Sequence, residues 1–256
     1  WYPARHGMNV PLRRNADLAE SLVRASRSLA RVLQGRSLAD EPEPGRDAST
    51  RAAVLDLVQG ALRRFGRDDA ALRALSTRGQ VEPALRALLL VALAALGSGR
   101  YAEYTVVDQA VRACARLRRP GAQGFVNALL RAFLRNRGRL AGRLDTDQES
   151  RFQHPAWWIE QVRNAYPDAW ERVLAAGNTH PPMCLRVNRR RVTPEDYLGR
   201  LISEGMPARR VGASALLLHR PVSVERLPGF SQGHVSAQDA GAQRAAELLE
   251  LADGQR

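Results

Sequence analysis

The sequence predicts an all-helical bundle over residues 16–145 followed by a small α/β subdomain over 150–230, and three observations carry that prediction. Apolar residues recur at three-and-four spacing from residue 16 to about 140, with no strand-like alternation. After the Arg-rich stretch Arg131 to Arg143 the texture changes, and Met183-Cys184-Leu185-Arg186-Val187-Asn188 alternates as a strand does. A last strand-then-helix pattern, Gly233 to Asp239 running into Ala240 to Leu251, opens a further element over 231–256. Residues 1–15 read as a polar, disordered head.

The first helix covers 16–34, with Leu18, Leu22, Ala25, Leu29 and Val32 inward and Arg24, Arg27 and Arg31 outward. Leu38 to Ser49 holds two prolines and several charges and reads as an exposed loop. A second helix starts near Thr50 with Val54, Leu57, Val58, Ala61, Leu62 and Phe65 on its buried face, and its stop is expected near Gly66. A short helix over Asp68 to Leu75 follows. Pro83 then suits the first position of a helix that is apolar nearly all round and stops at Gly97; such a helix belongs at the centre.

Thr105 with Asp108 three residues on predicts a capped start for the next helix. Val107, Val111, Cys114 and Leu117 face inward, and Asp108, Arg112, Arg116 and Arg119 outward. Beyond the Pro120-Gly121 turn, Gly124 to Arg131 continues as a helix with Phe125, Leu129 and Phe133 buried and Asn127, Arg131 and Arg135 on another face. Two more helices run from Pro155 to Tyr166 and from Pro167 to Gly177. They bring three of the four tryptophans, expected in a small aromatic core. In the strand at 183–188, Arg186 and Asn188 are expected opposite Cys184 and Val187. A helix from Pro194 to Glu204, a strand over Ala215 to Leu218 and the segment Val222 to Phe230 complete a sheet of four strands or fewer.

The formal charge is +13, and all 39 basic residues are arginine. Arginine usage on that scale reflects coding bias in part, but a net excess of cations still points to a polyanionic partner, and arginine is the better donor to phosphate. Two cysteines, Cys114 and Cys184, form neither a disulfide framework nor a metal spacing, so a reducing cytoplasmic setting without a bound metal is expected. No apolar run reaches a membrane span and no signal peptide is visible, so no membrane partner is expected. Because residue 1 is Trp and the first methionine is Met8, the chain reads as a fragment or a misplaced start.

Thr105-Val106-Val107-Asp108-Gln109-Ala110-Val111 followed by Gly124 to Arg131 resembles the NusB-type RNA-binding domain, in the version fused to bacterial small-subunit ribosomal-RNA cytosine-5 methyltransferases of the Sun/Fmu type. Pro181 to Asn188, Leu227-Pro228-Gly229-Phe230 and Val235 to Ala240 are similar to the linker, the small RNA-recognition subdomain and the entry to the catalytic domain of the same family. The resemblance runs from about residue 16 to the end. It implies an RNA-binding NusB-like bundle, an RNA-recognition subdomain and the first strand and helix of a truncated Rossmann-like domain. It also implies ribosomal RNA as partner and S-adenosylmethionine as the parent family's cofactor.

The family's cofactor loop, of the Ala-Pro-Gly-Gly-Lys kind after a strand, does not occur here; Gly97-Ser98-Gly99 follows a helix and reads as its stop. Cytosine-5 chemistry needs a thiolate to attack C6. Cys114 lies on an inward stripe and Cys184 in a strand, so neither is expected to be catalytic and no cofactor is expected on this chain alone. The histidines, His154, His180, His219 and His234 among them, are expected to have local positioning roles. The candidate RNA contacts are Arg112, Arg116, Arg119, Asn127, Arg131 and Arg135 in the bundle, with Arg186, Asn188, Arg189 and Arg190 in the second region. By resemblance Gln238 and Asp239 lie near the parent enzyme's active site. The rival readings are a non-catalytic NusB-type antitermination factor, against which residues 150–256 speak, and a structural domain charged by base composition.

Overall fold

The computed structural model describes residues 17–40, 48–76 and 79–249, and the chain divides into two compact units, Trp1–Thr179 and His180–Arg256. The expected polar head, most of the expected loop at 38–49 and Leu251 lie outside the described residues.

The first unit is helical: α1 Leu18–Leu33, α2 Ala48–Arg63, α3 Phe65–Leu75, α4 Pro83–Ser98, α5 Glu103–Arg116, α6 Gln123–Arg135, α7 Arg137–Leu144, α8 Gln148–Phe152, α9 Ala156–Ala165 and α10 Trp170–Gly177. Asp17 caps α1 by accepting from the backbone N–H groups of Ala19 and Glu20. Helix α4 is the axis, packed by α1, α2, α3, α5 and α6, with every residue from Ala87 to Leu96 buried. Its leucines, each contributing about 2 kcal/mol on burial, explain why a helix without an amphipathic stripe is stable only at the centre.

Two glycines set the packing in ways that periodicity does not show. Gly66 lies inside α3 and stops no helix: a Cβ there would meet the Glu149 carbonyl oxygen at 2.9 Å and the Gln153 Cα at 3.3 Å, so its missing side chain lets α8 lie close. Gly97 likewise lies inside α4, where a Cβ would fall 2.5 Å from the Arg64 guanidinium. The stop is Gly99, in the left-handed region at φ 66°. Arg64, lodged over Gly97, donates to both carboxylate oxygens of buried Asp68 at 3.1 and 3.0 Å.

Other expectations shift for local reasons. Helix α5 begins at Glu103 with Ala102 as an unadorned N-cap, so Thr105 lies in its first turn and caps nothing. On α6 the buried stripe is Val126, Leu129, Leu130 and Phe133, and Phe125 is exposed. Trp170 packs edge-on against Phe152 at 4.8 Å, but Trp157 and Trp158 are exposed, so the expected three-tryptophan core reduces to one.

The second unit is a four-stranded antiparallel sheet in the order β2-β3-β1-β4, with β1 Cys184–Val187, β2 Ala208–Arg210, β3 Ala215–Leu218 and β4 Val235–Ala237. Helix α11, Pro194–Ser203, links β1 to β2, and the β2–β3 hairpin inserts β3 beside β1, which is the split βαβ arrangement. Leu185 and Val187 face the apolar core with Tyr197, Leu201 and Leu216. Alternation puts Cys184 on the other face with Arg186, not opposite it; Cys184 is buried because helix α12, Ala240–Leu248, covers that end.

Short strand β2 escapes a reading based on apolar alternation because two of its three residues are exposed arginines. The strand expected to begin a separate Rossmann-like sheet is β4, and it pairs antiparallel with β1, Leu185 opposite Ala237 and Val187 opposite Val235. Helix α12 leaves Leu248 and Leu249 exposed.

Candidate nucleic-acid interface

Helices α5 and α6, with Arg119 in the turn between them, present the predicted bundle residues, all of them solvent-facing except half-buried Asn127. Their electrostatic states differ. Arg112 pairs with Asp108 one turn back at 3.0 Å. Arg116 reaches Asp17 at 2.6 Å and Glu20 at 3.4 Å, tying α5 to the start of α1. Burial works to raise the Asp17 carboxyl, but hydrogen bonds from Arg116 and from the α1 backbone outweigh it and hold Asp17 below the ordinary carboxylate range. Arg119 makes a two-pronged contact with Glu82 at 2.8 and 2.7 Å, which depresses the Glu82 carboxyl and raises the guanidinium. Arg131, by contrast, donates to the neutral Asn127 side chain at 3.0 Å, and Arg135 has no carboxylate partner among the described residues.

Between α5 and α6 opens a notch of about 410 Å³, floored by Val107 and Val111 and edged by Tyr104, Asp108, Asn127 and Arg131. Tyr104 is 80% exposed, the most open large apolar side chain among the described residues, with Phe125 also exposed on α6. An accessible ring beside guanidinium and amide donors is the composition that single-stranded nucleic acid uses for stacking and phosphate contact. Sequence reasoning missed Tyr104 and misplaced Phe125. The aromatic at the first turn of α5 carried a signal, since it precedes the inward stripe by one register step.

In the second unit Arg186 is exposed on β1 and leans on Gln238 at 3.4 Å. Asn188 is a shaping residue: its side-chain amide donates to the Gly233 carbonyl at 2.9 Å, and its Oδ1 accepts from the Arg190 backbone at 3.2 Å. That turn presents Arg189 and Arg190 to solvent. Gln238 donates its backbone N–H to the Cys184 carbonyl at 3.1 Å, and Asp239 accepts from the Gly241 N–H at 2.8 Å at the start of α12.

Both thiols are buried. Cys114 is buried and leans on the Ala110 carbonyl, and burial pushes its thiol up. Burial, then the Asp239 carboxylate, does the same to Cys184. His154 meets the Phe152 carbonyl at 2.7 Å and His234 meets Arg200 at 3.3 Å, both local positioning contacts. Among the described residues no group of His, Cys, Asp and Glu could hold a metal ion, and no helix is long and apolar enough to cross a membrane.

Comparison with known proteins matches residues 19–135 to the NusB family and residues 154–225 to the Methyltr_RsmF/B-like, ferredoxin-like domain. The chain is 36% identical over 244 residues to the ribosomal RNA small subunit methyltransferase B of Pseudomonas syringae pv. tomato, covering 91% of this chain and 54% of that protein. It is 31% identical over 246 residues to the protein of the same name from Salmonella paratyphi B, covering 94% and 55%. The crystal structure of PH0851 shares the fold with a TM-score of 0.61 at 18% identity, over 92% of this chain and 56% of that one. The chain spans about half the length of the curated relatives it matches. Over most of its length the chain is thus similar to proteins named ribosomal RNA small subunit methyltransferase B, and it carries in order a NusB-family domain and the ferredoxin-like domain of the RsmF/B-like group.

Proposed function

We propose that this chain is the RNA-binding portion of an S-adenosylmethionine-dependent cytosine-5 methyltransferase acting on small-subunit ribosomal RNA. The observation that supports this most is the succession, in one chain, of a NusB-family bundle and an RsmF/B-type ferredoxin-like unit, shared with relatives named as small-subunit rRNA methyltransferases. On the bundle, Arg131 and Arg135 hold the RNA backbone with Asn127 beside them, while Arg112, Arg116 and Arg119 join only where phosphate displaces a carboxylate. In the second unit Arg186, Arg189 and Arg190 guide the strand, on a turn held by Asn188.

S-adenosylmethionine requires a strand that ends in a glycine-bearing loop at a helix N-terminus. The described residues do not fit that need. The space over Gly97 is filled by Arg64, Gly99 ends a helix, and β4 enters α12 through Gln238 and the capping carboxylate of Asp239. On this reading the described residues serve to hold RNA, and by resemblance Gln238 and Asp239 border the parent protein's catalytic region. The test is binding of a small-subunit rRNA fragment by the 256-residue protein across a salt series. Affinity is expected to fall steeply with salt, without methyl incorporation. Salt-insensitive binding, or methyl transfer by this chain alone, overturns the proposal.

A further inference from the structure

In the second unit a cleft of about 590 Å³ lies on the face of the sheet turned away from the apolar core. Three pieces of chain wall it. Arg186 projects from β1 with Arg189 in the turn beyond, the hairpin tip Gly212-Ala213-Ser214 forms the second wall, and α12 brings Arg244. Among the described residues no carboxylate lines the cleft, whereas the other three clefts described hold Asp69, Asp68 and Asp108 respectively.

The hairpin tip adds donors of another kind. Arg210 holds the tip from behind, donating to the carbonyls of Gly212 at 3.0 Å and Ala213 at 3.1 Å and pairing with Glu195. The backbone N–H groups of Gly212, Ala213 and Ser214 have no partner among the described residues. Consecutive unpaired N–H groups in a turn favour an anion, and three guanidiniums without an opposing acid concentrate that preference at one place. Arg189 and Arg244 have no carboxylate partner among the described residues, so no ion pair has to break first.

We propose that this cleft is a phosphate subsite for single-stranded RNA, in which Arg186, Arg189, Arg244 and the 212–214 hairpin clamp adjacent phosphodiesters. The inference rests on the RNA-binding reading above and assigns it a place and a residue, Arg244, beyond the candidates read from the sequence.

The test is fluorescence anisotropy of a labelled, mixed-sequence single-stranded RNA with the full 256-residue chain, at several salt concentrations. The double variant R189A/R244A is expected to bind about tenfold more weakly at low salt. Its log-log salt slope should flatten by roughly 1.4, the value for two single-strand phosphates at about 0.7 each. S214D, which sets a carboxylate at the hairpin tip and leaves every arginine in place, is expected to weaken binding in the same direction. Circular dichroism checks that each variant is folded. If both variants keep the parent affinity and slope while R131A/R135A loses them, RNA sits on the bundle alone and the cleft proposal fails with the RNA reading intact. If the unaltered chain shows no salt-dependent RNA binding, the RNA reading fails, and the cleft with it. Displacement of RNA by inorganic phosphate from the parent chain but not from R189A/R244A supports the subsite.

Discussion

Helices α5 and α6 carry arginines at similar spacing and look alike as sequence, yet both α5 guanidiniums, and that of Arg119 in the turn just beyond, are matched by carboxylates, and on α6 none is among the described residues. Arg112, Arg116 and Arg119 are matched by Asp108, by Asp17 with Glu20, and by Glu82; Arg131 meets an amide and Arg135 meets no acid among the described residues. The second unit repeats the α6 condition at Arg189 and Arg244. On the proposed RNA-binding reading, an arginine counts toward affinity by what it would have to give up. Exposed ion pairs are individually weak, but a phosphate that displaces one gains only the difference between two anions.

The largest effect that probes this contrast is on stability, where a pairing is buried. Arg64→Ala leaves the Asp68 carboxylate, only 2% exposed, without its two-pronged partner, and breaking such a pair costs about 3 kcal/mol. Burial already raises the Asp68 carboxyl against the pull of Arg64, and without Arg64 it rises further. A carboxyl raised in the folded state contributes stability below its unfolded value of 3.8 and loses it as pH rises through the folded value. The deficit of the variant is therefore expected to be larger at pH 7 than at about pH 5. Urea unfolding at both values checks it, and an equal deficit would mean that the pairing with Arg64 is not what stabilises the buried Asp68 carboxylate at the start of α3. Gly66→Ala is expected to cost somewhat less, about 1–3 kcal/mol, because the new Cβ meets backbone of α8 that cannot yield as a side chain would.

Next in size is the direct contrast between helices. R131A/R135A is expected to lower RNA affinity about tenfold and to flatten the salt slope by roughly 0.7 per lost phosphate contact, while R112A/R116A changes affinity less than about twofold. The second variant should show itself instead as a small loss of thermal stability where Arg116 ties α5 to α1. Equal losses of affinity from the two helices would erase the distinction.

That distinction could not be read from the chain, although the helices could. Spacing of Leu22, Ala25, Leu29, of Val54, Leu57, Val58 and of the α4 leucines located three buried faces because a helical period writes burial directly into sequence. It says nothing about partners far along the chain. The acids that hold Arg116 lie 99 and 96 positions away and the one that holds Arg119 lies 37 away. Gly66 and Gly97 lie near helix ends, at Arg63 and Ser98, but the sequence does not show that each answers to a neighbour, α8 or Arg64, brought in by tertiary packing. Strand β4 was legible as a strand, but its pairing with β1 was not, since alternation fixes a face and leaves the choice of sheet open. Of the proposed contact residues, position along the helices nominates those of the bundle, their ion-pair partners come only from the structure, and Tyr104 and Arg244 are nominated by the structure alone.

The smallest expected effect is also the most discriminating, because it gains function where the others lose it. Glu82→Gln keeps the shape of the side chain and removes the charge that holds Arg119 at 2.8 and 2.7 Å. If carboxylates are what keep the arginines of α5 and of the turn after it from RNA, the freed Arg119 should raise affinity about twofold and steepen the salt slope by up to roughly 0.7, one further single-strand phosphate. The gain should vanish in E82Q/R119A, which separates release of Arg119 from a general change in charge. The same logic predicts that acid narrows the gap between the parent and E82Q. Arg119 depresses the Glu82 carboxyl, so the pairing persists down to pH values below the ordinary carboxylate range and gives way only there. An E82Q chain with unchanged affinity at neutral pH would mean that Arg119 lies off the RNA path, and the contact surface would then contract to α6 and the cleft of the second unit.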